Sequence, residues 1–303
     1  MKFGKTVKLY LKDGSATGIK QGEVVNQTIK AFSCPRNRLN ELKDNSEAKK
    51  PGLYMLFGED EETSEMKVYI GEAEIVFDRL TQHVAKKDFW NEVVFFVSKD
   101  DNITKAHIKY LENRTVQIAT KASRYLIENG NTPQASSLPE SDIDSMEEFL
   151  EYIKLLLGVL GHKILVPITP YIEPKTGNIT YTATTESNTV ISTSSSLQLS
   201  LKISGLYANS VQTDEGIVVL EGSEAWSEIK DSLQNGNRRI REKLIKDGII
   251  ELSNDKYVFK KNHLFNSASQ AASVVVGYSI NGLHHWINSE GKSLKKLEEE
   301  KLK

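Results

Sequence analysis

Five side chains in the first half of the chain are of the types that phosphoryl chemistry uses: Tyr54, Tyr69, Arg79, His83 and Glu112. Tyr54 follows Gly52-Leu53 and Tyr69 precedes Ile70-Gly71, so both phenols sit beside glycines that let the backbone turn or leave a strand unobstructed. Arg79 and His83 are spaced i, i+4, which puts them on one helical face, offset from the apolar one. Glu112 falls at the edge of the buried stripe of a longer helix, where a carboxylate can look into a cleft and still reach water. A carboxylate so placed suits a divalent ion such as Mg²⁺, which keeps most of its waters and takes one or two protein oxygens. Hydrolysis of a phosphodiester requires an activated water, a cation to neutralise the charge developing on phosphorus, and help for the departing oxygen. Arg79 would fork onto nonbridging phosphate oxygens, Glu112 would hold the metal, and a tyrosine or His83 would orient or deprotonate the water.

The elements that must position these groups follow from periodicity. LYMLFG and KVYIG are apolar, aromatic-rich runs separated by EDEETSE, which predicts an antiparallel hairpin with a solvated acidic tip. Residues 72–86 carry Ile75, Phe77, Leu80 and Val84 at helical steps, and EVVFFVS is a third buried strand. A long helix is expected from about Thr104 to Glu128, buried along Ile108, Leu111, Thr115, Ile118 and Ala122. A second opens at SDID with Ser141 as cap and runs through Met146, Phe149, Ile153 and Leu157 to Gly161.

On either side the composition changes. Residues 1–50 read as a β-rich lead-in, with KTVKLYL and QTIKAFSC alternating around an Asp13-Gly14 turn and RNRLNELKDNSEAKK as an amphipathic helix. The domain boundaries expected are therefore 1–50, 51–165, a Ser/Thr-rich linker at 166–196, and 197–303. The last part reads as a small α+β domain. In it, Arg238, Arg239, Arg241, Lys243 and Lys246 form a basic helical run followed by two strands, as in a winged helix that could lie in or across a DNA groove. His284, His285 and Trp286 read as strand, which points the two histidines to opposite faces and makes a shared metal unfavourable.

At 303 residues the chain is long enough for at least two cores. A formal net charge of −2 excludes a protein that coats nucleic acid through a general basic excess, so any polyanion site must be local. The single cysteine, Cys34, excludes an internal disulfide and suits a reducing compartment. The first residues lack the apolar run of a signal peptide and no stretch reaches the ~18 apolar residues of a membrane span, which together predict a cytoplasmic protein.

Gly52-Leu53-Tyr54, then Tyr69-Ile70-Gly71, then Arg79 in one helix and Glu112 in the next, resembles the GIY-YIG nuclease superfamily. The resemblance covers about residues 51–165, and YIGEAEIVFDRLTQH and KAHIKYLENR carry its most specific part. It implies an α+β fold built on a three-stranded antiparallel sheet flanked by helices, and cleavage of DNA with one divalent ion, Mg²⁺ or Mn²⁺. By carry-over Glu112 binds the metal, Arg79 contacts the scissile phosphate, Tyr54 is the general base, Tyr69 positions water or phosphate, and His83 assists. The family's asparagine after the glutamate helix falls in ENGNTP, where Asn129 and Asn131 both qualify and Asn131 is favoured. Two departures stand out: Leu53 replaces isoleucine, and residues 55–68 make a longer insertion than the family usually shows, tipped by Glu59, Asp60, Glu61, Glu62 and Glu65. VVLEGSEA, FNSASQAASVVVGYSINGLHHW and GKSL resemble an uncharacterised domain often attached to such nucleases and to restriction-modification proteins.

The function expected is a metal-dependent DNA endonuclease in a restriction or defence setting, its C-terminal domain selecting substrate or a protein partner. The alternative is a catalytically silent nucleic-acid-binding adaptor, motivated by the near-neutral charge and the acidic hairpin.

Overall fold

The structure is a computed structural model that describes residues 3–60, 65–130, 133–134, 136–168 and 197–302. It is a mixed α+β protein of two compact units, Met1–Pro167 and Ile168–Lys303. Among the described residues no helix is long and apolar enough to cross a membrane. Most of the expected linker, 169–196, lies outside the described residues.

The first unit contains β1 (Val7–Leu11), β2 (Lys20–Val24), β3 (Ile29–Pro35), β4 (Gly52–Glu59), β5 (Met66–Ala73), α1 (Val76–Lys86), β6 (Trp90–Ser98), α2 (Lys105–Ala122), β7 (Leu126–Ile127) and α3 (Glu140–Leu160). The expected antiparallel trio is present as neighbours β6-β4-β5, but the sheet is not three-stranded. It has seven strands in the order β1-β2-β3-β6-β4-β5-β7. The widening comes from the lead-in, because β3 pairs with β6 from Ile29↔Ser98 to Pro35↔Glu92 and covers an edge that would otherwise carry unpaired backbone groups. At the other edge β7 adds in parallel to β5. Residues 1–50 thus share a sheet with the chemistry-bearing strands.

The sheet is buried on both faces, which explains why LYMLFG and EVVFFVS read as continuous apolar runs. On one face Leu53, Met55, Phe57, Val68, Ile70, Val94 and Phe96 pack under α2 and α3 through Leu111, Val116, Phe149, Ile153 and Leu157. On the other, Tyr54, Leu56, Val93 and Phe95 pack under α1 and the 36–49 segment through Val76, Leu80, Leu39 and Leu42. A one-residue slip of β4 would exchange these two sets, so the register that carries Tyr54 is held from both sides.

Four local expectations are corrected. Residues 36–49 form two 3-10 turns, Arg36–Leu42 and Ser46–Lys49, rather than one amphipathic helix, and Asn45 caps the second by accepting from the Glu47 amide. The helix expected to reach Glu128 ends at Ala122, because Ser123 takes a left-handed conformation (φ 52°) and frees Leu126–Ile127 to pair with β5. α3 starts at Glu140 behind Pro139 rather than on a Ser141 cap, and ends as expected on left-handed Gly161 (φ 101°). The inner stripe of α1 is Val76, Leu80 and His83, while Ile75 and Val84 are 44% and 41% exposed. That phase shift puts His83 on the core-facing side.

The second unit contains β8 (Leu197–Ile203), β9 (Leu206–Thr213), β10 (Gly216–Val219), β11 (Glu224–Trp226), α4 (Asn235–Lys246), β12 (Ile250–Ser253), β13 (Lys256–Phe259), β14 (His263–Phe265), α5 (Ala268–Val276), α6 (Gly282–His285) and α7 (Leu294–Lys301). Its strands form one sheet of order β14-β10-β9-β8 and another of order β11-β13-β12. Both enclose α5, whose Ala271, Ala272, Val274 and Val275 are buried against Leu201, Val219, Phe259 and Trp286. His284 and His285 lie on the short helix α6, not on a strand, because the Asn281 side chain caps the turn through the Leu283 amide.

Candidate active site

β4 and β5 pair with Tyr54 opposite Gly71 and Leu56 opposite Tyr69. The two phenols therefore share a face on a diagonal, and their ring centroids are 6.2 Å apart. Tyr54 is fully buried. Its hydroxyl lies 2.7 Å from His83 Nε2 and accepts an N–H from Arg79 Nε at 3.3 Å. The His83 ring stands against both phenols, at 5.4 Å from Tyr54 and 5.1 Å from Tyr69.

Gly71 makes this convergence possible. A Cβ there would overlap the Tyr54 hydroxyl and come 3.0 Å from Tyr69 Cε1. Gly71→Ala is accordingly expected to lower stability by about 1–3 kcal/mol, the usual cost of overpacking, and to displace the Tyr54 hydroxyl. Denaturant melts combined with a cleavage assay check it, and a variant with wild-type values in both would remove Gly71 from the account.

Burial, with the charges of Arg79, Lys87 and Lys86, pushes the His83 imidazole down to about 4. The ring is therefore neutral at physiological pH and able to take a proton. Among the described residues its buried Nδ1 has no hydrogen-bond partner. Tyr54 is shifted the other way: burial, and then the neighbouring Tyr69, raise its hydroxyl well above the ordinary tyrosine range against the opposing pull of Arg79. A phenol in that state works as a relay that passes a proton on, rather than as a standing phenolate.

Glu112 occupies the half-buried edge of α2. Burial raises its carboxyl to about 7, the charge of Glu72 adds to the rise, and the Glu72 backbone N–H, Arg79 and Lys109 oppose it. Arg79 is near enough for its charge to act on Glu112, whereas α2, which carries Glu112, packs on the sheet face opposite the one that bears Tyr54 and Tyr69. The rotation of α2 is fixed from α3: Arg114 grips Glu147 with two N–H bonds of 2.6 and 3.2 Å, and Tyr110 donates to the same carboxylate at 2.7 Å. A part-buried fork of that kind orients better than an exposed pair.

Glu72 is a residue that reasoning from the sequence missed. The signal was available: Val68 and Ile70 alternate with Tyr69 and face α2, so Glu72, two residues on, faces α2 as well. Glu112 and Glu72 are the side chains here that could hold a divalent cation, since a buried carboxylate beside a second one gains by exchanging its proton for a hard metal ion. Among the described residues no group of three or more His, Cys, Asp or Glu side chains is arranged to hold a metal.

The remaining candidates separate. Asn129 is structural, since its side chain accepts from the Ile70 amide at 3.0 Å and donates to the Ile70 carbonyl at 2.7 Å, extending the β5–β7 pairing. Asn131 lies outside the described residues, as do Glu61 and Glu62 of the hairpin tip. At the inner part of the tip Lys67 pairs with Asp60 at 3.5 Å while sharing its charge with Glu128 at 2.7 Å. Lys87 stacks over the Tyr69 ring at 4.4 Å and adds positive charge at the rim. A hollow of about 460 Å³ opens elsewhere in this unit, beside Ser98, Asp100, His107 and Asp142, and none of Tyr54, Tyr69, Arg79, His83 or Glu112 lines it. The chemistry-bearing groups, not that hollow, define the candidate site.

In the second unit the basic run splits. Arg241 is fully buried, donates from Nη1 to the Val274 carbonyl at 2.5 Å in the last turn of α5, and stacks on Tyr257 at 5.3 Å. A cation at that helix end meets the negative end of the dipole. It is part of the core and not of the solvent-facing basic run in which the sequence placed it.

Residues 199–298 match the model of a family described as Domain of unknown function (DUF4357). The match lies in the C-terminal unit. No curated protein and no solved structure matches the chain. Within the DUF4357 match, the quoted motifs serve packing: Ser223 Oγ bonds both the amide and the carbonyl of Asn209, Ser267 caps α5, and the buried Trp286 donates to the Ala268 carbonyl at 3.0 Å. These residues hold the DUF4357 region together.

Proposed function

We propose that the protein is a divalent-metal-dependent DNA endonuclease whose active site is the Tyr54–Arg79–His83 cluster with Glu112 beside it. The observation that carries this reading is the convergence of one hydroxyl, one guanidinium and one neutral imidazole on a single point under Gly71, Tyr54 being 2.7 Å from His83 and 3.3 Å from Arg79. Arg79 is exposed beyond its contact with Tyr54 and can reach a phosphate. Phosphate bound there brings negative charge beside Arg79, Lys86 and Lys87, which lifts the basicity of His83. Tyr54 orients the attacking water and hands its proton toward His83 Nε2 as the water oxygen bonds to phosphorus and the bond to the departing oxygen breaks. Tyr69 flanks the water, and Glu112, with Glu72 near it, would hold Mg²⁺ or Mn²⁺. When bound, the ion supplies Lewis-acid stabilisation of the charge developing on the phosphate.

The direct test compares strand breakage by wild type, Glu112→Ala and Arg79→Ala on plasmid and short duplex DNA with Mg²⁺. Equal activity in all three would sink the assignment. A second consequence concerns pH. With its carboxyl at about 7, Glu112 must lose a proton to take the ion, so Mn²⁺ affinity should fall about tenfold between pH 8 and pH 6. Titration calorimetry with Mn²⁺ checks this, and a pH-independent affinity would remove Glu112 as the ligand.

A further inference from the structure

The solvent face of α4 is a concentration of charge that the proposed active site does not use. Residues 235–246 contain five basic side chains and one acid, Glu242, whereas the other described residues of the second unit, 197–234 and 247–302, contain nine basic and thirteen acidic ones. The helix therefore carries a net positive charge while the remainder of the unit is net negative. α4 packs inward through Arg241 and Leu244, and Arg239, Lys243 and Lys246 are exposed, with Arg238 half-exposed beside them.

Four of the nine other described cations of this unit, Lys256, Lys260, Lys292 and Lys295, are held by carboxylates. Lys256 is paired with Glu224 at 3.1 Å, Lys260 with Glu251 at 3.8 Å, and Lys292 with Glu300 at 2.9 Å. Among the described residues none of Arg238, Arg239, Lys243 and Lys246 is recorded in an ion pair. Glu242 lies between them on the same face and is likewise without one. Four cations around one carboxylate extend along ~12 Å of helix, at the ordinary rise of 1.5 Å per residue, an elongated array that suits successive phosphates of a nucleic-acid strand better than a compact anion.

The chain path around α4 adds shape to charge. β11 precedes the helix, β12 and β13 follow it as a hairpin, and the three strands pair in the order β11-β13-β12. A helix followed by a sheet hairpin, with the helix presenting cations outward, is an arrangement that lays a helix against a groove and a hairpin beside it.

We propose that the outward face of α4 is a double-stranded DNA interface, in which Arg239, Lys243 and Lys246 contact the phosphate backbone without reading sequence. The proposal takes from the nuclease reading only the choice of DNA as the polyanion. It assigns duplex holding to the region matched by the DUF4357 model.

The experiment measures binding of the full chain to a 20-base-pair duplex of mixed sequence in EDTA, over a series of salt concentrations, by fluorescence anisotropy. Three variants are compared with wild type: Arg239→Gln/Lys243→Gln/Lys246→Gln; Lys295→Gln/Lys296→Gln/Lys301→Gln on α7, which removes the same charge elsewhere; and Arg239→Lys/Lys243→Arg/Lys246→Arg, which keeps it. The α4 neutral variant should bind about tenfold or more weakly, and the slope of log affinity against log salt should shrink by roughly three. The α7 variant and the charge-preserving variant should stay within about twofold of wild type. Equal weakening by the α4 and α7 neutral variants, no weakening by either, or binding of duplex RNA but not duplex DNA would overturn the proposal. Because no metal is present and no cleavage is scored, a failure here is distinct from a failure of the nuclease reading.

Discussion

Replacing Tyr54 by phenylalanine is expected to slow phosphodiester cleavage by about 10²- to 10⁴-fold, the range for loss of a positioned proton-transfer group. The ring would stay in place, since it is fully buried between strands and α1. What disappears is the hydroxyl that joins His83 Nε2 at 2.7 Å to Arg79 Nε at 3.3 Å. The same change leaves the buried Nε2 of His83 without its partner, which costs about 1–3 kcal/mol of stability. The two effects are separable: assays well below the melting temperature of the variant read the catalytic loss, and the melt itself reads the structural one. A variant that melts lower yet cleaves at the wild-type rate would confine Tyr54 to packing.

Glu112→Gln is the second large effect, and it should move activity and stability in opposite directions. Removing the charge while keeping the shape deletes the expected metal ligand, and cleavage should drop by about 10²- to 10³-fold. Stability should not drop. The folded carboxyl titrates at about 7 against an ordinary 4.5, so between those values the folded state binds the proton more tightly and stability falls as pH rises. The glutamine side chain has no such loss, and Glu112→Gln should melt higher than wild type at pH 8. His83, lowered from 6.5 to about 4, contributes with the reverse slope between those values. Comparing wild type with Glu112→Gln at each pH cancels that contribution. A glutamine variant that melts lower at pH 8 would mean that Glu112 holds the fold rather than a cation.

Much of this site was legible because strand period and helix period both act on it. Tyr54 and Tyr69 read as neighbours in a hairpin, and the register that sets them on one face follows from the apolar runs around them. Glu112 read as the edge of a buried stripe, and of its stripe residues Ile108, Leu111, Thr115 and Ala122 are buried while Ile118 is partly so. His83 was less legible, because an imidazole among charged residues looks solvated until a buried hydroxyl lies underneath it to accept or donate a proton. Arg241 failed for the same reason in reverse, since its partner, the Val274 carbonyl at the end of α5, is distant in sequence. The width of the first sheet was hidden too. Nothing local in QTIKAFSC announces that it pairs with EVVFFVS, because that pairing is non-local and depends on an exposed strand edge needing cover.

Gly71 connects the local and the non-local levels. From the sequence it marks a strand end that frees the start of a helix. In the fold it also leaves room for the Tyr54 hydroxyl, so the position whose side chain is missing determines where the reactive oxygen sits. Glu72, directly after it, brings a second carboxylate toward Glu112.

The most direct test of the central claim is strand breakage by the wild-type full chain on supercoiled plasmid, short duplex and flap DNA, measured with Mg²⁺ and again with EDTA. Breakage of at least one substrate that requires Mg²⁺ and stops in EDTA is the predicted result. Breakage that persists in EDTA, or intact DNA on every substrate with Mg²⁺ while duplex binding is retained, would contradict it and leave a binding adaptor in its place.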